Sequence, residues 1–444
     1  MAITETKTKY GQVHGTPKEG YTVFSGVPYA KPPVGEKRFC PPEEPECWEG
    51  VYEADHFGYV CPQTEHEQDS FYGKEFYLDP EFGMKQSEDC LYLNIWTPAD
   101  TADEKLPVAF WIHGGAFLHG FSHESEFDGA AYCERGVILV TINYRLGVFG
   151  FLAHPWLSEE SSVGRSGNYA ILDQIAALKW VKENIAAFGG DSENITVFGQ
   201  SAGCMSVQTL VSSPLTENWI SKAIFQSAGG YDTGLNRDML LSEAETIGQE
   251  FVELSGAKSL EELRAIPAEQ IVELQEEFGR VNPSRMLSFV PNIDDYLLTC
   301  GYNEAVTEGK IKDIPYMLGS TADDIGVFPE MKEKGEHGGI YKGCINWSLA
   351  LEKLGRKPAY VYYFTRALLG DDAGAFHSSE LWYMFGTLGR SWRPKTEGDY
   401  ALSKEMMDDW TNFMKTGNPN AEGKDDWKPC TKDDPYVQVL DVRE

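Results

Sequence analysis

No stretch of the 444-residue chain approaches the roughly 18 consecutive apolar residues of a membrane-spanning helix, so none is expected. The first ten residues, Met1 to Tyr10, are polar and charged. They lack the apolar segment of a secretory signal, so the chain reads as cytoplasmic, although a chain whose leader had been removed would read the same way. Positive charge is scarce: 38 Lys and Arg stand against 69 Asp and Glu, for a formal net charge of −31. Such a surface repels nucleic acid and anionic membranes, so neither is expected as a partner, and acidic substrates are disfavoured. The nine cysteines are scattered, with no Cys-x-x-Cys spacing to suggest zinc. In a reducing compartment such cysteines are buried small hydrophobes. No Pro/Ser linker, low-complexity tract or fixed-period repeat divides the chain, so residues 1–444 read as one large α/β unit.

What the chain does contain is an alternation of apolar strand-like runs and helical stretches. Residues 91–96 alternate in the manner of a strand, and residues 24–35 read as a short strand leading into a proline-stiffened stretch. Residues 108–112 and 137–142 are continuous apolar runs of the kind buried on both faces. Residues 223–227, 314–320 and 359–364 also read as strands. Helical periods occupy 168–187, the strongly acidic 242–279, and a closing amphipathic stretch, 404–415. This order predicts a mostly parallel sheet covered on both faces. Residues 61–88 form a long polar and aromatic loop, and loops of that length are uncommon unless functional.

The chain is organised around Gly199-Gln200-Ser201-Ala202-Gly203. An apolar run, 195–198, leads into it, and a helix-compatible stretch, Ala202–Ser212, leads out. Strand, sharp turn and helix are the setting in which this pentapeptide is a nucleophile elbow. The glycines let strand and helix approach closely around a strained serine, and the helix N-terminus favours a developing negative charge there. A serine hydroxyl needs a base, and the base an orienting carboxylate. On this architecture the order is Ser, acid, His. Of nine histidines only His337 and His377 follow Ser201. His337 sits among charged and flexible residues and reads as a loop histidine. His377 lies beyond a predicted strand end, where it can reach the elbow. The acid should follow the 314–320 strand, where Asp323 and Asp324 compete, and residue chemistry alone does not separate them. Asp294 and Asp295 are weaker candidates. His113-Gly114-Gly115-Ala116 ends the 108–112 strand. The N–H groups of Gly114 and Gly115, with that of Ala202, would form an oxyanion hole.

Together with Glu88-Asp89-Cys90-Leu91-Tyr92-Leu93-Asn94 and His113-Gly114-Gly115-Ala116-Phe117, the elbow resembles the type-B carboxylesterase family, the group of cholinesterases and para-nitrobenzyl esterase. The resemblance extends over nearly the whole chain, through residues 24–35, 168–180, 188–191 and 376–386. It implies an α/β-hydrolase fold and a serine carboxylesterase working through an acyl-enzyme, with a small-molecule ester as substrate. No cofactor or metal is implied, and a monomer or small homo-oligomer is expected. The family pattern Gly-x-x-x-Asp-Glu-Gly falls on Gly319 to Ile325 and sets Asp324 where the catalytic acid stands, with Ile325 in place of glycine. Gln200 stands where Glu is common. The stretch from Asp324 to His377 is shorter than in most relatives, which implies a shortened helical segment around 327–356 and a more open site that admits bulky esters. Cys61 and Cys90 match the family's first disulfide pair; in the cytosol thiols are expected. Phe117, Leu118, Phe121, Trp382 and Tyr383 are candidate pocket residues. His119 and His123 have an i, i+4 spacing but no accompanying carboxylate motif, so metal binding is not expected. Rival readings are an esterase specialised for phenolic or acetylated sugar esters, an amidase, and a non-catalytic adhesion protein of the same fold.

Overall fold

The computed structural model describes residues 2–443. Twelve strands form one mixed sheet. In chain order they are β1 (Glu5–Lys7), β2 (Gln12–Lys18), β3 (Tyr21–Pro28), β4 (Val51–Ala54), β5 (Tyr92–Thr97), β6 (Leu106–Ile112), β7 (Ile138–Ile142), β8 (Gly190–Gln200), β9 (Lys222–Gln226), β10 (Tyr316–Thr321), β11 (Tyr360–Phe364) and β12 (Gln438–Leu440). The spatial order is β1-β2-β3-β5-β7-β6-β8-β9-β10-β11-β12, with β4 added beside β2. From β7 to β12 every pairing is parallel. The pairings β1–β2, β2–β3, β3–β5 and β5–β7 are antiparallel.

Burial on both faces explains the continuous apolar runs. Along β6, Val108, Phe110 and Ile112 belong to the core on one side of the sheet, whereas Ala109 and Trp111 belong to the core on the other. Successive side chains in a strand point to opposite faces, so a strand covered on both sides must be apolar throughout. The helices Tyr169–Asn184, Ala202–Ser212 and Gly339–Lys353 contribute to the first core, and Glu397–Thr416 to the second, through Met406, Trp410 and Phe413. Among the described residues no helix is long and apolar enough to cross a membrane.

Local chemistry sets the helix limits. The acidic stretch expected as helical over 242–279 is three helices: Leu241–Ser255, Leu260–Ala265 and Ala268–Val281. Gly256, at φ +79°, stops the first in a left-handed cap, and Pro267 caps the third at its start. The closing helix begins earlier than the amphipathic pattern implies, at Glu397. Thr396 and Asp399 form a reciprocal capping box there. In the region 327–356 the chain forms only a short helix, Pro329–Glu333, and then Gly339–Lys353.

A buried ion pair fixes the segment after β7. Arg145 donates from Nε and Nη2 to the two carboxylate oxygens of Asp173, at 2.8 and 2.7 Å, and its backbone N–H reaches Asp173 Oδ2 at 3.1 Å. Both side chains are out of solvent. Removing one member leaves an uncompensated buried charge, which costs about 3–5 kcal/mol. Asp173→Ala should therefore lower the denaturant midpoint by an amount corresponding to that loss, measured by equilibrium unfolding.

Candidate active site

The position of Ser201 follows from the meeting of β8 and the helix Ala202–Ser212. Ser201 lies between them at φ +56°, ψ −126°, a conformation that costs a non-glycine residue of order 1–3 kcal/mol. The flanking glycines permit it by close approach. A Cβ on Gly203 would lie 2.0 Å from the carbonyl oxygen of Ile112, and one on Gly199 would lie 2.6 Å from the Gly203 carbonyl. The Ser201 N–H donates to Gln226 O at 2.9 Å, which ties the turn to β9.

His377 lies on the loop beyond β11, and Asp324 follows β10. These two strands are parallel neighbours, so their C-terminal ends deliver both residues to one edge. His377 Nδ1 is 2.6 Å from Asp324 Oδ1, and both side chains are nearly buried. Asp324 also accepts the N–H of Thr321 at 3.0 Å and of Ile325 at 2.8 Å. Burial alone would raise the Asp324 pKa. The His377 imidazole, with the Thr321 N–H, outweighs it and holds the carboxyl below its ordinary range. With the Nδ1–H turned toward Asp324, His377 Nε2 is an acceptor. Gln200 Nε2 lies 3.2 Å from it, as a donor would.

The adjacent carboxylate faces the other way, as alternation along an extended segment requires. Asp323 accepts the Ala375 N–H at 2.9 Å, pairs with Lys332, and donates its own N–H to Ala375 O at 2.9 Å. It thereby pins the loop that carries His377. His337, the other late histidine, stacks on Tyr341 at 3.9 Å between ring centroids.

Gly114 and Gly115 follow β6. Gly115 has φ +97°, and a Cβ there would meet His119 O at 2.1 Å. The Gly115 carbonyl accepts the N–H groups of Leu118 and His119, both at 2.9 Å. The amides of Gly114 and Gly115 donate to no acceptor among the described residues. Ala202, as the first helical residue, has no intrahelical partner for its N–H. Behind the turn, Tyr144 stacks on His113 and donates its hydroxyl to His113 O at 2.8 Å. Burial pushes the His113 imidazole down to about 4, so it is neutral.

Ser201, His377, Gly114 and Gly115 line one cavity of about 280 Å³. Its other walls differ from the sequence expectation. Phe117, Leu118, Phe121, Trp382 and Tyr383 are not among its lining residues. Phe117 packs against Phe151, Phe121 against Tyr77 and His123, and Trp382 against Phe76, while Tyr383 donates its hydroxyl to Asp399; Leu118 is half-buried on the Gly115 turn. Proximity in sequence to Gly115 or His377 did not mean proximity to the reacting centre. The segment 61–88 supplies the wall instead, through His66, Tyr72, Phe76 and Tyr77. Tyr72 and Phe76 belong to a short helix, Phe71–Phe76. The signal was present in Tyr72 and Phe76, two aromatics about one helical turn apart, with Tyr77 following. Gln63 joins this segment to the glycine turn: its amide exchanges hydrogen bonds with the Gly120 backbone at 2.7 and 3.1 Å. Glu124 and Glu126 also line the cavity, and sequence reading gave them no role.

His119 and His123 make separate contacts. His119 bonds to Thr64 O and lies against His66, whereas His123 stacks on Phe57. Cys61 and Cys90 are both buried free thiols, and the Cys90 thiol is hydrogen-bonded to Cys61.

A hydroxyl on a strained turn, an imidazole held by a carboxylate and unclaimed amides in one cavity are the groups of nucleophilic acyl transfer. The carboxylesterase family model matches residues 3–342 and 343–443. The chain belongs to the carboxylesterase family. As a member it is a carboxylic-ester hydrolase on the α/β-hydrolase fold. It is 33% identical to para-nitrobenzyl esterase of Bacillus subtilis (strain 168) over 481 residues, covering 98% of this chain and 94% of that protein. It is likewise 33% identical to fumonisin B1 esterase of Sphingopyxis macrogoltabida, over 95% of this chain and 83% of that one. A solved structure of PNB esterase superposes with a TM-score of 0.86 at 31% identity, covering 99% of this chain and 96% of the other. Family membership thus agrees with the elbow, the glycine turn and the acid–imidazole pair without itself assigning their roles.

Proposed function

We propose that this carboxylesterase acts through a Ser201–His377–Asp324 triad. Ser201 Oγ attacks the ester carbonyl as His377 Nε2 takes its proton, and the tetrahedral oxyanion rests on the N–H groups of Gly114, Gly115 and Ala202. His377 then returns the proton to the departing alcohol, and water activated by the same imidazole releases the acid. Asp324 holds the tautomer that keeps Nε2 available and stabilises the imidazolium. The observation that carries this reading is the 2.6 Å contact between His377 Nδ1 and Asp324 Oδ1 at the edge where the Ser201 elbow stands. No step calls for a metal or cofactor. The substrate is a small-molecule ester that enters a mainly aromatic-walled cavity. A reducing compartment suits nine free thiols, and we place the protein in the cytoplasm.

A fluorophosphonate probe tests the nucleophile directly. The chain should become labelled, and peptide mapping should find the adduct on Ser201. Absence of labelling from folded protein, or an adduct on another residue, would overturn the assignment.

A further inference from the structure

Two carboxyl groups in the cavity wall take no part in the triad. Glu124 and Glu126 line the same cavity as Ser201 and are only 6% and 1% exposed. Among the described residues neither forms an ion pair with a Lys, Arg or His. Glu124 is partly satisfied, since Oε1 accepts the Phe121 N–H at 2.8 Å and the Tyr77 hydroxyl bonds to the same carboxyl. Glu126 Oε2 is buried and receives no hydrogen bond from a backbone, hydroxyl or amino group, the side-chain partner of its carboxyl being that of Glu124.

The surrounding charges do not supply the missing partner. Arg390 acts on Glu126 only through space, because its guanidinium is engaged by Asp128 and by Ser125 O. His113 approaches Glu124 from behind Gly120, but its Nδ1 is taken by Gly114 O. His66 and His119 stand on the cavity wall. Burial pushes both imidazoles down, His66 to about 4, so neither brings a positive charge. Burial raises both carboxyls, the charge of Glu124 raises Glu126 further, and the two carboxyls are hydrogen-bonded to each other, so they share one proton rather than ionise together. With one proton between them, the pair holds a single negative charge that no cation neutralises. A buried acceptor without a donor is costly, and a buried charge without a partner more so.

We infer that Glu124 and Glu126 form a subsite for a primary ammonium group carried by the ester substrate, which supplies both the N–H donor that Glu126 Oε2 lacks and the positive charge that the pair lacks. Tyr77, Phe76 and Phe127 line the same cavity and suit the alkyl chain between that ammonium and the ester. The inference rests on the esterase reading and narrows its substrates to amino esters.

The test compares ammonium esters with neutral isosteres at pH 7.5. Ethyl 6-aminohexanoate is set against ethyl heptanoate, and 6-aminohexyl acetate against heptyl acetate. In at least one pair kcat/KM should favour the ammonium ester by tenfold or more. Glu126→Gln, and independently Glu124→Gln, should reduce that preference at least tenfold. Because the preference is a ratio within each enzyme, a general loss of activity cancels. The unmodified enzyme gives a second readout, since hexylammonium should inhibit at a tenfold lower concentration than 1-hexanol. Preference for the neutral ester in both pairs, equal inhibition by amine and alcohol, or a preference that survives in both variants would overturn the subsite while leaving the esterase intact. Failure to hydrolyse any of the four esters, together with no fluorophosphonate labelling, would overturn the esterase reading and this inference with it.

Discussion

Ser201→Ala should lower kcat on p-nitrophenyl acetate by about 10⁴–10⁶-fold, the range seen when the nucleophile of a serine hydrolase is removed. The fold gives this experiment a clean reading. Ser201 occupies φ +56°, and alanine bears the same Cβ there, so the backbone strain is unchanged. The turn is held by the Ser201 N–H on Gln226 O and by the close approach of Gly199 to Gly203, none of which involves the hydroxyl. Circular dichroism and the thermal midpoint should therefore match the parent while turnover disappears. The residual rate should stay above that in water, since the proposed oxyanion donors, the Gly114 and Gly115 amides, are left in place. A variant that retained a tenth of the parent activity would rule out Ser201 as the attacking group.

Asp324→Asn should cost about 10⁴ in kcat, and Asp323→Asn less than tenfold. The two residues are neighbours in sequence and differ in what they face. Asparagine at 324 offers an amide N–H to His377 Nδ1, which favours the tautomer with the proton on Nε2. That tautomer cannot accept a proton from Ser201. Gln200 strengthens the effect in this chain. Its amide lies 3.2 Å from Nε2 and, turned over, presents its oxygen to a protonated Nε2 and holds the unproductive form. Asparagine at 323 keeps an oxygen for the Ala375 N–H and gives up only the Lys332 pair, whose lysine is half exposed. Pairs of that kind are worth about 0–1 kcal/mol. Equal losses in the two variants would mean that the loop carrying His377 depends on both, and that the catalytic acid cannot be told from its neighbour.

The parts of the fold legible in sequence were those with a single physical cause. Strands β6 and β7 are buried on both faces and announced themselves as unbroken apolar runs; the elbow did so by its glycines. Strands β1, β2, β4 and β12 were not legible. Glu5–Lys7 is a polar edge strand, Gln12–Lys18 is polar with alternating burial although it pairs with β1, β3 and β4, and Gln438–Leu440 is three residues long. Their pairing depends on partners far away in the chain, which no local pattern records. The antiparallel half of the sheet was hidden for the same reason. At the site, residues that follow a strand could be placed by position: Ser201, Gly114 and Gly115 lie directly at strand ends and His377 on the loop beyond β11, which topology gathers at one edge. Pocket residues were not readable, because the walls come from a segment whose course depends on tertiary packing. Phe117 and Trp382 turn inward to the core, and Tyr72 and Tyr77 take the places expected of them.

The segment from Cys61 to Glu88 leaves the sheet and returns through a narrow neck. Val60 bridges to Gln86, its N–H donates to Lys85 O at 2.9 Å, its carbonyl accepts the Ser87 N–H at 2.9 Å, and Gln86 Oε1 accepts the Gln63 N–H at 2.8 Å. A lobe closed at its base in this way has a stem that holds its own register. Its far end is anchored as well, by Glu75 in a buried ion pair with Arg393 and by Phe76 against Trp382, so changes confined to the exposed residues between these anchors would reshape the cavity wall while the stem keeps its register. The two adjoining thiols, Cys61 and Cys90, sit at that stem. Oxidising them would add a covalent clamp at its root.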